Sequence, residues 1–247
     1  MTTITGECML PSKGNIYTKQ FDPIIKLRSM TVEDEMKRLN QTMKPYKAMC
    51  DLIDGCLETK LPYSSYDLCL ADYQFLIHKL RVVTYGPDYS IMCICPVCGN
   101  VITKDVQLDE LETKFIDESI LDLLEFELPV SHDVVKLKLQ TPRDLDWIQT
   151  EKTTMMKEYP DMADPTAVLV LRTLIDTING RKLDKVMGNE IIKQMPARDM
   201  NKIIRRAERI NNNIGINTAI PIHCDKCGLD TTTTFRYTDE FFRPTED

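Results

Sequence analysis

The sequence predicts an α+β protein, mainly helical, with a β element built from two separated cysteine-tipped hairpins. Three observations predict it. Apolar residues recur at steps of three and four over long stretches, the period of an amphipathic helix. Short alternating runs punctuated by Gly, Pro and Asp mark strands and hairpins. Two matching knuckles, Cys95-Pro96-Val97-Cys98-Gly99 and Cys224-Asp225-Lys226-Cys227-Gly228, fall at the turns of two such hairpins. The 247 residues are 43% apolar and 28% charged, enough for a sizeable core. No run approaches the 18 uncharged apolar residues of a membrane span, and the first residues lack the basic start and apolar stretch of a secretory signal.

The first thirty residues read as extended, with Pro11 and Gly14 where a helix needs neither. Thr31-Val32-Glu33-Asp34 is a capping-box-like helix start. Met36, Leu39, Met43, Tyr46, Cys50, Ile53 and Leu57 follow as one helical face, split at Pro45. A second helix is predicted from about Asp67 to Val83. Strands 89–94 and 101–106 flank the first knuckle, a helix is expected over Leu108–Leu124, and 126–128 pairs with 135–139 around a proline turn. Thr141-Pro142-Arg143-Asp144 opens a helical stretch that runs to Asn213. Within it, Val168, Leu171, Ile175 and Ile178 face inward on a helix stopping near Asn179-Gly180, and two more helices are expected at about 184–194 and 197–211. The tail from Thr218 returns to strands around the second knuckle. The implied organisation is 1–84 extended then helical, 85–140 the first knuckle half, 141–213 a helical insertion, and 214–247 the second knuckle half with the tail.

The cysteines carry the chemistry. Nine of them, an odd number, in a chain without a secretory signal, indicate a reducing compartment where clustered thiols hold metal more often than they form disulfides. In each knuckle the two-residue spacer turns both sulfurs toward one point, and the glycine takes the positive φ that closes the turn. Two knuckles supply Cys95, Cys98, Cys224 and Cys227, the tetrahedral thiolate set of a structural Zn²⁺; an iron centre uses the same ligands. This is a zinc-ribbon-like arrangement with one departure. Cys224 follows Cys98 by 126 positions, against roughly 15–20 in a compact ribbon. The simplest account is a ribbon split by an inserted helical segment. A redox Cys-x-x-Cys is expected once, between strand and helix, and fits less well. Cys93 and His223 flank the knuckles as bystanders, and Cys8, Cys50, Cys56 and Cys69 read as small buried hydrophobes.

Catalytic machinery is not expected. Four thiolates leave a metal no open position. His78, His132 and His223 have no convincing nucleophile beside them, and no phosphate-binding loop, dinucleotide fingerprint or nucleophile elbow is present. Lys202, Arg205, Arg206 and Arg209 form a basic face opposite Ile203, Ile204, Ala207 and Ile210. A zinc ribbon with such a helix suggests a nucleic-acid-binding adaptor as one alternative. The net charge of −7 and the interrupting Glu208 favour a solvated face or a contact for an acidic protein.

Several segments in order resemble one family. Leu10-Pro11-Ser12-Lys13-Gly14 with Tyr17, then Thr31-Val32-Glu33-Asp34-Glu35, then Leu80-Arg81-Val82-Val83-Thr84-Tyr85-Gly86 leading into the first knuckle, are similar to the baseplate hub proteins of T4-like contractile-tailed phages. That resemblance implies a non-enzymatic hub subunit or hub assembly factor that binds other hub or tail proteins. It implies action in the host cytoplasm during tail assembly or in the virion baseplate. Leu10, Pro11 and Tyr17, and separately Phe241 and Phe242, are candidate anchors for such a partner; packing within the chain's own fold is the alternative for both.

Overall fold

A computed structural model describes residues 4–39, 44–184, 187–235, 237 and 239–242. It is 41% helical and 23% strand, so the expectation of a mainly helical chain gives way to a mixed fold. Two hydrophobic cores organise it.

The first core gathers both ends of the chain. Strands β1 (Thr5–Met9) and β2 (Ile24–Arg28) pair antiparallel, and Ile25 and Leu27 point inward against Leu10. Helix α1 (Val32–Arg38) starts at the predicted capping box, where Thr31 Oγ1 accepts from Asp34 N–H and Asp34 accepts from Thr31 N–H. Helix α2 (Pro45–Cys56) begins at the predicted proline break, with Pro45 in the first turn, where no N–H is needed. Helix α3 (Leu70–Tyr85) runs through the middle, burying Tyr73, Leu76 and Leu80. Phe235, Phe241 and Phe242 close over it from the far end of the chain.

The expected inward stripe fails on α1. Met36 and Leu39 are exposed, because the helix docks through Asp34, Glu35 and Arg38 instead. Met43 lies outside the described residues.

The second core is built on a four-stranded antiparallel sheet in the order β6 (Glu125–Glu127), β7 (Val134–Leu137), β8 (Ile175–Ile178), β9 (Arg181–Lys182). Helices α6 (Thr166–Leu174), α7 (Met187–Lys193) and α8 (Ala197–Asn211) add Leu171, Leu174, Ile192, Ile203 and Ile210 to this core, and α5 (Pro142–Glu158) packs on α2 and α6. Here the sequence reading is corrected twice. The helix predicted to reach Asn179 stops at Leu174, and Ile175–Ile178 turns into a strand beside Val135–Leu137. Asn179 (φ 50°) and Gly180 (φ 75°) make the tight turn that pairs it with Arg181–Lys182, a hairpin signal. The sheet therefore crosses the expected boundary at 140/141.

The helix expected over Leu108–Leu124 is likewise absent. That stretch is a 3₁₀ turn at Leu108–Glu110, strand β5 (Thr113–Lys114) and the short α4 (Glu118–Leu121). Leu108 belongs to the first core while Ile116 and Ile120 belong to the second, so one straight helix cannot serve both. The bridge between the cores is made where β5 pairs with β10 (Gly215–Ile216), and where α5 packs on α2.

Candidate metal centre

Each knuckle rides on its own two-stranded sheet. Strands β3 (Asp88–Ile94) and β4 (Val101–Gln107) are in register from Asp88↔Gln107 to Ile94↔Val101. Strands β11 (Ala219–His223) and β12 (Asp230–Thr234) run from Ala219↔Thr234 to His223↔Asp230. Period-two alternation puts Tyr89, Ile91 and Val106 inward on one hairpin, and Ile220 and Ile222 inward on the other. Tyr89 meets Phe235 at 5.9 Å between ring centres and Phe241 at 5.3 Å, so the aromatic side of the first core holds the two hairpins together.

Arg81, fully buried, fixes the base of this assembly. Its guanidinium donates to the carbonyls of Phe241 (3.0 Å), Gly86 (2.7 Å) and Asp88 (3.1 Å). It thereby joins α3, the start of β3 and the C-terminal 3₁₀ turn. Burial lowers its pKa, while the surrounding carbonyls satisfy its donors. In the sequence Arg81 stands out only as part of the family-like segment Leu80–Gly86. Arg81 stands off the Tyr73–Leu76–Leu80 stripe of α3, so the helical pattern alone gives no sign of its burial.

The knuckles themselves are alike. Cys95 N–H donates to Asn100 (2.8 Å) and Gly99 N–H to Cys95 (3.0 Å); Cys224 N–H donates to Leu229 (2.9 Å) and Gly228 N–H to Cys224 (2.8 Å). Gly99 and Gly228 take φ values of 69° and 71°, which a residue with a Cβ rarely adopts. All four sulfurs lie within 4.8 Å of one another. Cys95 and Cys227 are 3.7 Å apart, and Cys98 and Cys224 3.6 Å. A tetrahedron with metal–sulfur bonds of about 2.3 Å has edges of about 3.8 Å, so the four residues fit such an ion. A disulfide needs about 2.05 Å, and all nine cysteines are free.

The electrostatics set Cys95 apart from the buried thiols elsewhere. Backbone N–H groups of Cys98 and Val97 aim at Cys95 and hold its pKa down to about 6. At Cys227 the Leu229 N–H favours the thiolate, but desolvation and the three neighbouring sulfurs push its pKa up to about 12. Four thiolates this close repel one another, and a divalent cation relieves that repulsion. By contrast, burial raises Cys8 and Cys56 to about 11 and Cys50 to about 12, as expected for thiols packed as small hydrophobes. Cys93 is half-buried on β3, and His223 Nδ1 is occupied by Asp230 at 2.7 Å.

The other candidate residues lie elsewhere. Leu10 and Pro11 are buried in the fold. Tyr17 is half-buried, its hydroxyl donating to Asp72 at 2.6 Å, and Asp72 also accepts from Ser12 N–H at 2.9 Å. Phe241 and Phe242 are buried in the first core. Leu10, Pro11, Phe241 and Phe242 thus pack within the chain's own fold, and Tyr17 keeps part of its ring at the surface. On α8, Lys202, Arg205 and Arg209 are exposed, while Arg206 lies over the Phe126 ring at 4.7 Å.

A family model for the T4 bacteriophage base plate protein matches residues 1–243. The chain belongs to that family. The match takes in both knuckles, both cores and the inserted sheet, so the metal-competent cluster is part of a phage baseplate protein rather than of a separate appended domain. No curated protein and no solved structure matches the chain. A baseplate protein works among the other proteins of the phage tail, and among the described residues no helix is long and apolar enough to cross a membrane.

Proposed function

We propose that this baseplate protein is a non-enzymatic component of the baseplate hub, a subunit or an assembly factor, that works through contacts with other hub or tail proteins. It acts in the host cytoplasm while tails assemble. Zn²⁺ held by Cys95, Cys98, Cys224 and Cys227 supplies no chemistry to a substrate. It cross-links two hairpins into a split zinc-ribbon-like unit and makes their tips rigid.

The observation that supports this reading best is the outer face of the stapled first hairpin. Its root is polar, with Ser90 bonded to Asp105 and Gln107 to Asp88. Its tip is apolar: Met92, Ile94, Val97 and Val101 are all exposed. Large apolar side chains fixed on a cross-linked hairpin lose little freedom on binding, which is what a docking surface needs.

The reading is tested by capture of the tagged chain from infected cells beside mass spectrometry of mature virions. Hub proteins should copurify with the wild type and be lost from Met92→Asp/Ile94→Asp, a variant that keeps its metal and melting temperature. Retention in virions marks a subunit, and loss from them an assembly factor. Repeated captures without any tail protein would defeat both.

A further inference from the structure

Helix α8 is basic along the side that it turns to water. Ile203, Ala207 and Ile210 are buried, while Arg198, Lys202, Arg205 and Arg209 are all exposed. Steps of four, three and four place these cations within about 60° of arc, in a line about 16 Å long. The basic face expected from the sequence is thereby redrawn. Arg198 joins it, and Arg206 leaves it to lie over the Phe126 ring.

The stripe is unpaired: among the described residues none of its four cations meets a carboxylate. On α1, α2 and α7, by contrast, a surface lysine sits one turn from its acid, Lys37 with Glu33, Lys47 with Asp51 and Lys193 with Glu190. The acids of α8 itself do not neutralise the line. Asp199 is buried and accepts from Val130 and Ser131 N–H, and Glu208 is exposed on one flank.

This arrangement works against the helix that carries it. Like charges three and four residues apart repel. Arg198, in the first turn, stands at the positive end of the helix dipole. A face that is only solvated gains from alternating signs. One kept wholly positive in a chain of net charge −7 is complementary to an external anion.

The chemistry favours carboxylates of a protein over phosphates of a nucleic acid. The chain's net charge of −7 repels a long polyanion, and Glu208 would oppose a phosphate backbone laid along the stripe. Three of the four cations are arginines, whose planar fork takes a carboxylate through two parallel hydrogen bonds. A second helix with acids at the same steps of four and three offers one carboxylate to each cation along the line.

Given the protein-contact role proposed above, on which this rests, we propose that the stripe Arg198, Lys202, Arg205 and Arg209 docks an acidic helix of another tail protein. Exposed ion pairs hold weakly and steer well, so the stripe speeds and orients association more than it tightens the finished complex.

The test is capture by the tagged full chain from infected cells, comparing wild type with two variants. One carries Arg198→Gln, Lys202→Gln, Arg205→Gln and Arg209→Gln; the other carries Arg198→Lys, Arg205→Lys and Arg209→Lys. The Gln variant should melt no lower than wild type, because like-charge repulsion is relieved. At low salt it should bring down about tenfold less of the tail protein, while the Lys variant stays within about twofold; at high salt the wild type should fall to the Gln level. A carbodiimide, which joins an amine to a carboxylate in contact with it, should cross-link Lys202 to an Asp or Glu of that protein. A Gln variant that captures as much as wild type, or a complex without a cross-link at Lys202, overturns the stripe's role and leaves the baseplate reading standing. A Gln variant that melts lower marks the stripe as structural and overturns it too. Binding abolished by nuclease assigns the stripe to nucleic acid instead. Captures without any tail protein defeat both the stripe's role and the protein-contact role it rests on.

Discussion

His78 shows what a single buried side chain does to this molecule. It is fully enclosed on α3, with Nε2 2.7 Å from the Leu108 carbonyl and its ring among Phe235, Tyr237 and Phe241. Burial lowers its pKa to about 4. The folded protein therefore resists a proton that the unfolded chain accepts near 6.5. The associated stability is complete above pH 6.5 and is lost as pH falls toward 4, on the order of 3 kcal/mol in all. His78→Gln, whose amide still reaches the carbonyl, should be less stable than wild type at pH 7 and close that gap by pH 4. Urea unfolding at successive pH values measures it. The cysteine cluster is the same in both proteins, so the difference between them isolates His78; parallel profiles would refute its role.

At the scale of elements, the fold repeatedly ends helices and turns with a buried carboxylate from far away in sequence. Lys44 offers α2 no side-chain cap. Asp146 of α5 takes its place, accepting from Tyr46 N–H (3.3 Å), Lys47 N–H (2.9 Å) and the Tyr66 hydroxyl (3.0 Å). Asp199 of α8 does the same for the turn between β6 and β7, through Val130 and Ser131 N–H. Asp146→Ala should cost about 1–3 kcal/mol, a lost cap plus an orphaned hydroxyl, read as a shift in the urea midpoint; Asp146→Asn should cost less. A change under about 0.5 kcal/mol would show that α2 does not depend on this cap.

Local chemistry of this kind was legible where partners are close in sequence. The Thr31/Asp34 and Thr141/Asp144 boxes, the Pro45 break and the knuckle turns all follow from neighbours within a few residues. Caps borrowed across about a hundred positions leave no such trace. Nor did the strand at Ile175–Ile178, whose β-branched residues fit a helical period as well as a strand, and only the Asn179-Gly180 turn distinguished them. The α1 stripe was visible as a stripe but not as an outward one, because periodicity shows that a face exists and not where it points. The four cysteines that come together were readable from the knuckles alone, whereas Arg81 and the Tyr89–Phe235 contact that help bring them together were not.

For the whole molecule, the four-cysteine cluster and the aromatic core both tie the end of the chain to its first half. A cross-link closing a loop of 126 positions removes about 5 kcal/mol of unfolded-chain entropy in the chain-entropy model. Purified protein should carry one zinc per chain by elemental analysis. Stripping it with a chelator, or replacing Cys95 and Cys224 with Ser, should lower the melting temperature and make the Ala219–Thr234 hairpin the first site of proteolysis. Protein that melts unchanged after its metal is removed would show that the cluster does not bear on stability.

The long interval between the knuckles also sets an order of events in the cell. Cys95 and Cys98 leave the ribosome well before their partners; at about 5–20 residues per second, Cys224 follows Cys98 by about 6–25 s. Over that time the first hairpin carries two of the four clustered cysteines without the other two, open to oxidation. The sheet of the second core, complete by Lys182, can form inside the still-open loop. Locking comes last, with β11, β12 and the phenylalanines that follow. Completion of the four-cysteine cluster is thereby tied to translation having passed residue 227 with the early thiols still reduced.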